Sequence, residues 1–331
     1  MIDLYQAALA ANEGARGFYN NNVRLDTPSG PVIVRIPLHG ADTMDLRVWP
    51  EYEVLGAIGP YVGHAPRLLH VSESPAFQVH EFIPGELVDD IAPRGERVPS
   101  PVLSDVVELF AQLATVPREK LPNLPPCWPA TNDTPAFANL LSDVTQQVYE
   151  TFIERYESLF ATFGIPGDPL ASIRARWPEL TRRPFGLVHA DVHRKNMILS
   201  TGRVVFLDWE LALWGDPVYE LAVHFHKMSY HDDERETVLD GWLKLMPTDR
   251  TRDWQQDLGI YLAHERVKSA IVDTVRYTQL IWDGGLPPEQ RDQLTEKLTA
   301  KLNAAGTVWQ RDQPFSTDTV RRLIHSADLD R

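Results

Sequence analysis

Short alternating apolar runs dominate the first eighty residues, and longer helix-period runs dominate the rest. Val32-Ile33-Val34-Arg35-Ile36 is β-branched and follows the turn residues Pro28-Ser29-Gly30, so it reads as the second strand of a hairpin whose first strand ends near Leu25. Arg67–Val71 and Phe77–Phe82 read as two further strands. Between these pairs, the apolar positions Leu46, Trp49, Val54, Leu55 and Ile58 fall on one helical face, with Pro50 near its start. Pro84-Gly85 breaks the pattern and is taken as the boundary between a sheet-rich region, residues 1–83, and a mostly helical region, residues 84–331. Helical periodicity covers Pro101–Ala114, Thr134–Phe163, Val218–Ser229, Glu234–Leu245, Thr251–Ile281 and Pro287–Leu302. The expected class is α+β.

One stretch interrupts the helices. Gly186-Leu187-Val188 is a short apolar run leading into polar residues. Met197-Ile198-Leu199 and Val204–Leu207 flank the turn pair Thr201-Gly202. The reading is strand, polar loop, strand, turn, strand, with Asp208 closing the last strand. The polar loop is His189-Ala190-Asp191-Val192-His193-Arg194-Lys195-Asn196. The hairpin can therefore bring Asn196 and Asp208 together although twelve residues separate them.

An Asp, an Asn and a second Asp in this order are the groups phosphoryl transfer needs. One carboxylate, Asp191, orients the attacking hydroxyl and takes its proton. Asn196 and Asp208 offer hard oxygen atoms to a magnesium ion bridging the phosphates. Glu210 either reaches the second metal or its waters, or caps the next segment. His193 either supports the loop or approaches the γ-phosphate. Asp216-Pro217 reads as an N-cap and first helical residue.

This motif, with Asp208-Trp209-Glu210 and Gly215-Asp216-Pro217, resembles the aminoglycoside phosphotransferase and choline kinase superfamily, small-molecule kinases with a protein-kinase-like fold. The resemblance implies a bilobal fold, with a small β-rich nucleotide-binding lobe over residues 1–83 and a large helical lobe over 84–331. It implies a phosphate-covering loop near Gly14–Asn22, with Asn20, Asn21 and Asn22 as candidate contacts. It implies a cation on the second strand, here Arg35 where Lys is commoner, and a Glu partner on the next helix. Glu51 fits that partner better than Glu53. The base would be met by backbone groups near His80 and Phe82, which leaves ATP and GTP undistinguished. The acceptor is expected on the helical lobe, with Asp232, Asp233, Glu265 and Asp273 as candidates for pairing with it.

Composition narrows the partners. Lys and Arg number 32 against 46 Asp and Glu, a net charge of −14, which repels a nucleic-acid backbone and is compatible with a cationic acceptor. No apolar run approaches the roughly 20 residues of a membrane span. The N-terminus lacks a basic region ahead of an apolar one, and Cys127 is the single cysteine, so a cytoplasmic protein is expected. The leading expectation is a magnesium-dependent kinase transferring the γ-phosphate of ATP or GTP to a hydroxyl of a small molecule, foremost an antibiotic or related natural product, with resistance as the consequence. A metabolic kinase of the choline, thiamine, sugar or homoserine type is the alternative. A nucleotide-binding pseudokinase would have lost Asp191, Asn196 or Asp208, and all three are present.

Overall fold

The computed structural model describes residues 2–11, 15–16, 20–38 and 44–329. The chain runs α1 (Ile2–Ala10), β1 (Ala15–Arg16), β2 (Asn20–Thr27), β3 (Gly30–Pro37), α2 (Glu51–Ile58), β4 (Leu68–Glu73) and β5 (Ala76–Glu81). After β6 (Glu86–Leu87), α3 (Val88–Ile91) and α4 (Ser100–Thr115) come α5 (Thr134–Thr162) and α6 (Ala171–Arg174). The strands β7 (Gly186–Val188), β8 (Met197–Ser200), β9 (Arg203–Phe206) and β10 (Leu213–Gly215) follow. Helices α7 (Pro217–Met228), α8 (Asp232–Leu245), α9 (Thr248–Thr251), α10 (Trp254–Trp282), α11 (Pro288–Val308) and α12 (Thr317–Leu329) complete the chain. A small sheet-rich N-terminal region thus precedes a larger helical part.

Contacts group the chain into two units. The first holds residues 1–43, 47–131 and 184–251; the second holds 44–46, 132–183 and 252–331. The boundary expected after residue 83 falls inside the first unit.

In the first unit, a five-stranded antiparallel sheet has the order β1-β2-β3-β5-β4. Its period-2 pattern sends Val32, Val34 and Ile36 of β3 to one face. They bury there with Val23, Phe77 and Val79, covered by Ala8, Leu4 and Tyr5 of α1. Each fully buried Val, Ile or Phe contributes about 1.5–3 kcal/mol relative to exposure. Alternation forces Arg35 to the opposite face. The turn from β2 to β3 is tied by Thr27, whose Oγ1 donates to the Gly30 carbonyl at 2.7 Å and accepts from the Ser29 N–H. Helix α2 begins at Glu51, later than the apolar pattern suggested. Trp49 precedes a proline, which disfavours helical backbone at that residue, and its indole N–H is tied to the Asn123 carbonyl at 2.9 Å.

Strands β8 and β9 form the expected hairpin, with Met197 opposite Phe206. Thr201 and Gly202 both have positive φ, 48° and 82°, the geometry of a tight two-residue turn whose twist matches its strands. Asn20, Asn21 and Asn22, expected in a covering loop, instead open β2 opposite Pro37, Ile36 and Arg35. Gly14, Gly17, Phe18 and Tyr19 lie outside the described residues.

The second unit is helical. Tyr156 stacks on Trp282 with centroids 5.5 Å apart, and Tyr149 stacks on Phe160. A fully buried Arg183–Asp257 ion pair and the Trp177 indole bonded to Ser142 lie in its core. Among the described residues, no helix is long and apolar enough to cross a membrane.

Candidate active site

The loop after β7 is held from outside by one face of α7. The Glu220 carboxylate accepts the backbone N–H groups of His189 and Ala190. That clamp accommodates Ala190 at φ 61°, a left-handed conformation that turns the chain sharply before Asp191. One turn on, His224 Nδ1 bonds the Val192 carbonyl at 2.9 Å. One turn further, the Lys227 ammonium meets Asp191 Oδ1 and the Ala190 carbonyl. Positions 220, 224 and 227 form a single stripe, so α7 grips four consecutive loop residues. The N-cap of α7 is Asp216, whose carboxylate accepts the Val218 N–H at 2.9 Å.

Asp191 also lies 3.3 Å from His193 Nε2 and accepts the Asn196 amide at 2.8 Å. Burial works to raise its pKa, but Lys227 and His193 outweigh burial and hold the carboxyl well below the usual carboxylate range. His193 accepts the Lys195 N–H through Nδ1, so it both supports the loop and faces Asp191. Burial pushes His189 down to about 4, against the pull of Asp191 and Asp208, so it is neutral at pH 7 and packs on the Trp209 ring at 4.4 Å. Arg194 is buried rather than solvated: its guanidinium donates to the carbonyls of Ala92, Pro93, Glu96 and Met228.

The hairpin delivers Asp208 to Asn196, with the Leu207 N–H donating to the Asn196 carbonyl at 2.8 Å. Asp208 itself is left-handed, φ 65° and ψ 68°. Its Oδ1 accepts from Arg35 Nη2 at 2.9 Å, while Arg35 Nη1 lies 3.2 Å from Glu51 Oε1. The same Glu51 oxygen accepts the Trp209 N–H at 3.0 Å. Glu51 is the partner of Arg35; Glu53, two residues on, is exposed. Arg35 and Glu51 are 8% and 5% exposed, so this pair operates almost without water. Burial opposes the Arg35 charge, and the two carboxylates overcome it. Burial raises Glu51 against the pull of Arg35.

Glu210 accepts from Asn20 Nδ2 at 3.1 Å and pairs with Arg47 at 3.2 Å. Burial and the neighbouring Asp208 push its pKa up to about 7. It therefore neither caps the following turn nor stands free. A cavity of about 480 Å³ opens here, lined among others by Asn20, Arg47, Glu51, Tyr52, Gln78 and Glu210. The donor set suits magnesium. Asn196 has its amide nitrogen committed to Asp191, leaving its carbonyl oxygen, and Asp208 adds a carboxylate on which Arg35 now supplies the positive charge.

The remaining candidates separate from this network. His80 sits inside β5, in register with Ile33 on one side and Leu68 on the other, so its backbone faces strands rather than a base. Its ring bonds Gln78, and burial with the nearby Arg35 pushes it down to about 3. Phe82, just past the strand, carries the Arg24 guanidinium 4.4 Å above its ring. Asn22 Oδ1 is buried without a partner, while Asn21 pairs in the ladder only. Of the acidic acceptor candidates, Asp233 is tied to Arg97 at 2.6 Å and Asp273 to Lys301. Glu265 is buried 3.2 Å from His264, and Asp232 is exposed in the first turn of α8. Asp232 and Asp233 belong to the first unit, Glu265 and Asp273 to the second.

Three functional neighbours escaped the sequence reading: Glu220, Lys227 and Arg47. The first two had a signal, polar residues at helical spacing on a helix that also carries Val218, Leu221, Ala222, Val223 and Phe225. Arg47 had none, because it acts through a contact 163 residues away in sequence.

A search of curated proteins finds no match. Among solved structures, a choline/ethanolamine kinase family protein from Mesorhizobium loti is similar over 99% of both chains, at 15% identity and a TM-score of 0.56. The choline kinase LicA from Streptococcus pneumoniae is similar over 91% of this chain and 97% of its own, at 16% identity and 0.57. The aminoglycoside phosphotransferase APH(4)-Ia is similar over 94% and 98%, at 14% and 0.55. These likenesses carry the fold, the α+β protein-kinase-like arrangement expected from the motif. The model of the phosphotransferase enzyme family matches residues 11–256, most of the chain, so the protein belongs to that family and is a small-molecule kinase.

Proposed function

We propose that this kinase moves the γ-phosphoryl group of ATP or GTP, with magnesium, to a hydroxyl of a small natural product, antibiotics foremost, and so acts in resistance by modification. The observation that carries the chemistry is a single connected network. Asp191 holds Asn196, Asn196 is tied to the strand end bearing Asp208, Asp208 meets Arg35, and Arg35 meets Glu51.

In this reading Asp191 orients the acceptor hydroxyl and takes its proton as the phosphorus–oxygen bond forms, and the nucleoside diphosphate leaves from the opposite side of phosphorus. Asn196 and Asp208 hold magnesium, with Glu210 beside them, and the ion when bound draws charge from the phosphate oxygens. Arg35 shifts from Asp208 towards a phosphate, its second contact with Glu51 keeping it aimed. Phe82 and the backbone after β5 meet the base. Residues 1–83 serve the nucleotide and residues 84–331 the catalytic loop and acceptor. The net charge of −14 favours an acceptor bearing amines, and the neighbouring APH(4)-Ia has been seen with ADP and hygromycin B. A cytoplasmic location follows from the need for nucleoside triphosphate.

The test is transfer of labelled γ-phosphate from ATP and from GTP to aminoglycosides, nucleoside and peptide antibiotics, choline, thiamine and sugars. Asp191→Asn serves as control and should lose on the order of 10²–10⁴ in rate while keeping nucleotide binding. Asp208→Ala should instead weaken magnesium-nucleotide binding. Labelling of choline, thiamine or a sugar alone would move the enzyme to metabolism. A near-normal rate in Asp191→Asn would overturn the assignment of the base.

A further inference from the structure

Behind the catalytic hairpin lies a second cluster of ligating groups that the phosphotransfer network does not use. His64, in the turn between α2 and β4, is fully buried, and its Nδ1 is 2.8 Å from the Val204 carbonyl of β9. A carbonyl only accepts, so Nδ1 carries the proton. The other nitrogen, Nε2, is buried without a hydrogen-bond partner and faces Glu108 Oε1 at 3.4 Å. A buried ring nitrogen without a hydrogen-bond partner beside a carboxylate oxygen is a pair of donor atoms that a cation can bridge. Asp105, one turn before Glu108 on α4, completes the group: ligand atoms of His64, Asp105 and Glu108 all lie within 4.8 Å of one another.

We propose that His64, Asp105 and Glu108 bind a divalent transition-metal ion of the zinc class. Tetrahedral zinc, with ligands at about 2.0–2.2 Å, sets neighbouring nitrogen and oxygen ligands about 3.4 Å apart, the separation between His64 and Glu108. One imidazole with two carboxylates suits zinc, cobalt or nickel, whereas magnesium prefers oxygen ligands and retained water. The ligands are oriented from behind by one residue. The Val204 carbonyl fixes His64, and the Val204 N–H donates to Asp105 Oδ2 at 2.7 Å, the arrangement that sets ring tautomer and carboxylate direction in metal sites. Glu108 is 51% exposed at its side chain and gives the ion a path from solvent. Gln112 Nε2 and, at 3.7 Å, Arg203 touch the same Glu108 oxygen, Oε1, and hold that carboxylate in place beside His64. The ion would brace β9, since the Phe206 N–H also donates to the His64 carbonyl at 2.8 Å. This inference stands apart from the acceptor and donor of the kinase reaction.

The experiment uses the full chain stripped by chelator, then titrated with Co²⁺ as an absorbing probe and with Zn²⁺ in competition, with bound metal measured after dialysis. The wild-type protein should take one equivalent, show the visible band of four-coordinate cobalt, and melt higher with zinc. Asp208→Ala should behave the same, which separates this site from magnesium. Glu108→Gln and Asp105→Asn, checked for native circular dichroism, should weaken zinc binding by at least about tenfold. If Asp105→Asn fails to fold, Glu108→Gln decides alone. Absence of stoichiometric binding would overturn the proposal. So would binding indifferent to Glu108→Gln, or binding lost in Asp208→Ala.

Discussion

Arg35 carries its charge where there is almost no water, and it stays because two carboxylates hold it. Removing one side of such a pair leaves an uncompensated buried charge. Arg35→Ala should therefore cost about 3–5 kcal/mol in urea unfolding, and Arg35→Ala with Glu51→Gln should recover part of that loss. A loss below 1 kcal/mol would mean that Glu51 is already neutral in the native protein. Lys227 acts on a single carboxylate oxygen of Asp191, so Lys227→Met should lower kcat on the order of tenfold to a hundredfold through misplacement of the base. The KM for nucleotide should hold, and Lys227→Arg should restore part of the rate. A fall confined to nucleotide KM would show that Lys227 serves the donor instead. These residues differ in how readable they were. Asp191, Asn196 and Asp208 stand in one short motif, while Lys227 is an ordinary surface-type residue until its partner is known.

Elements were legible where local chemistry decides them. The β8–β9 hairpin followed from Thr201-Gly202 between two apolar runs, because such a turn demands positive φ at both positions. Thr201 meets that demand poorly, being β-branched at φ 48°. Thr201→Asn should stabilise the protein by up to about 1 kcal/mol, read as a raised Tm with unchanged kcat. A lower Tm would mean that the Thr side chain makes a contact worth more than the strain. Where tertiary pairing decides, the pattern misled. Asn20–Asn22 suit a turn by propensity, yet they run as strand because β3 pairs along the whole of β2. Helix α1 has little signal of its own; it is nine residues long and gains its stability by covering the sheet.

Across the molecule, protonation ties the first unit together. His80, His189 and His224 are pushed down by burial to about 3, 4 and 3, so they fold neutral. Their unfolded value near 6.5 means the unfolded chain binds more protons below that pH, and stability is lost as pH falls from about 6.5. Glu220 and Glu210, each pushed up chiefly by burial to about 7, work the other way between about 7 and 4.5. Three histidines less two glutamates leave a net slope on the order of 1.4 kcal/mol per pH unit near pH 5. Urea unfolding at pH 7, 6 and 5 should show stability falling chiefly between pH 6 and 5, and a flat profile there would contradict neutral buried histidines. The two compact units are each assembled from separated stretches of chain, an organisation that a linear pattern does not display. Arg35 and Asp208 are 173 positions apart. At roughly 5–20 residues per second, a ribosome needs about 10–35 s to travel between them. Over that interval the nascent chain has Arg35 and Glu51 but not the second acid. The buried guanidinium then has one carboxylate in place of two, and slower synthesis would lengthen the exposure of that incomplete network to chaperones and proteases.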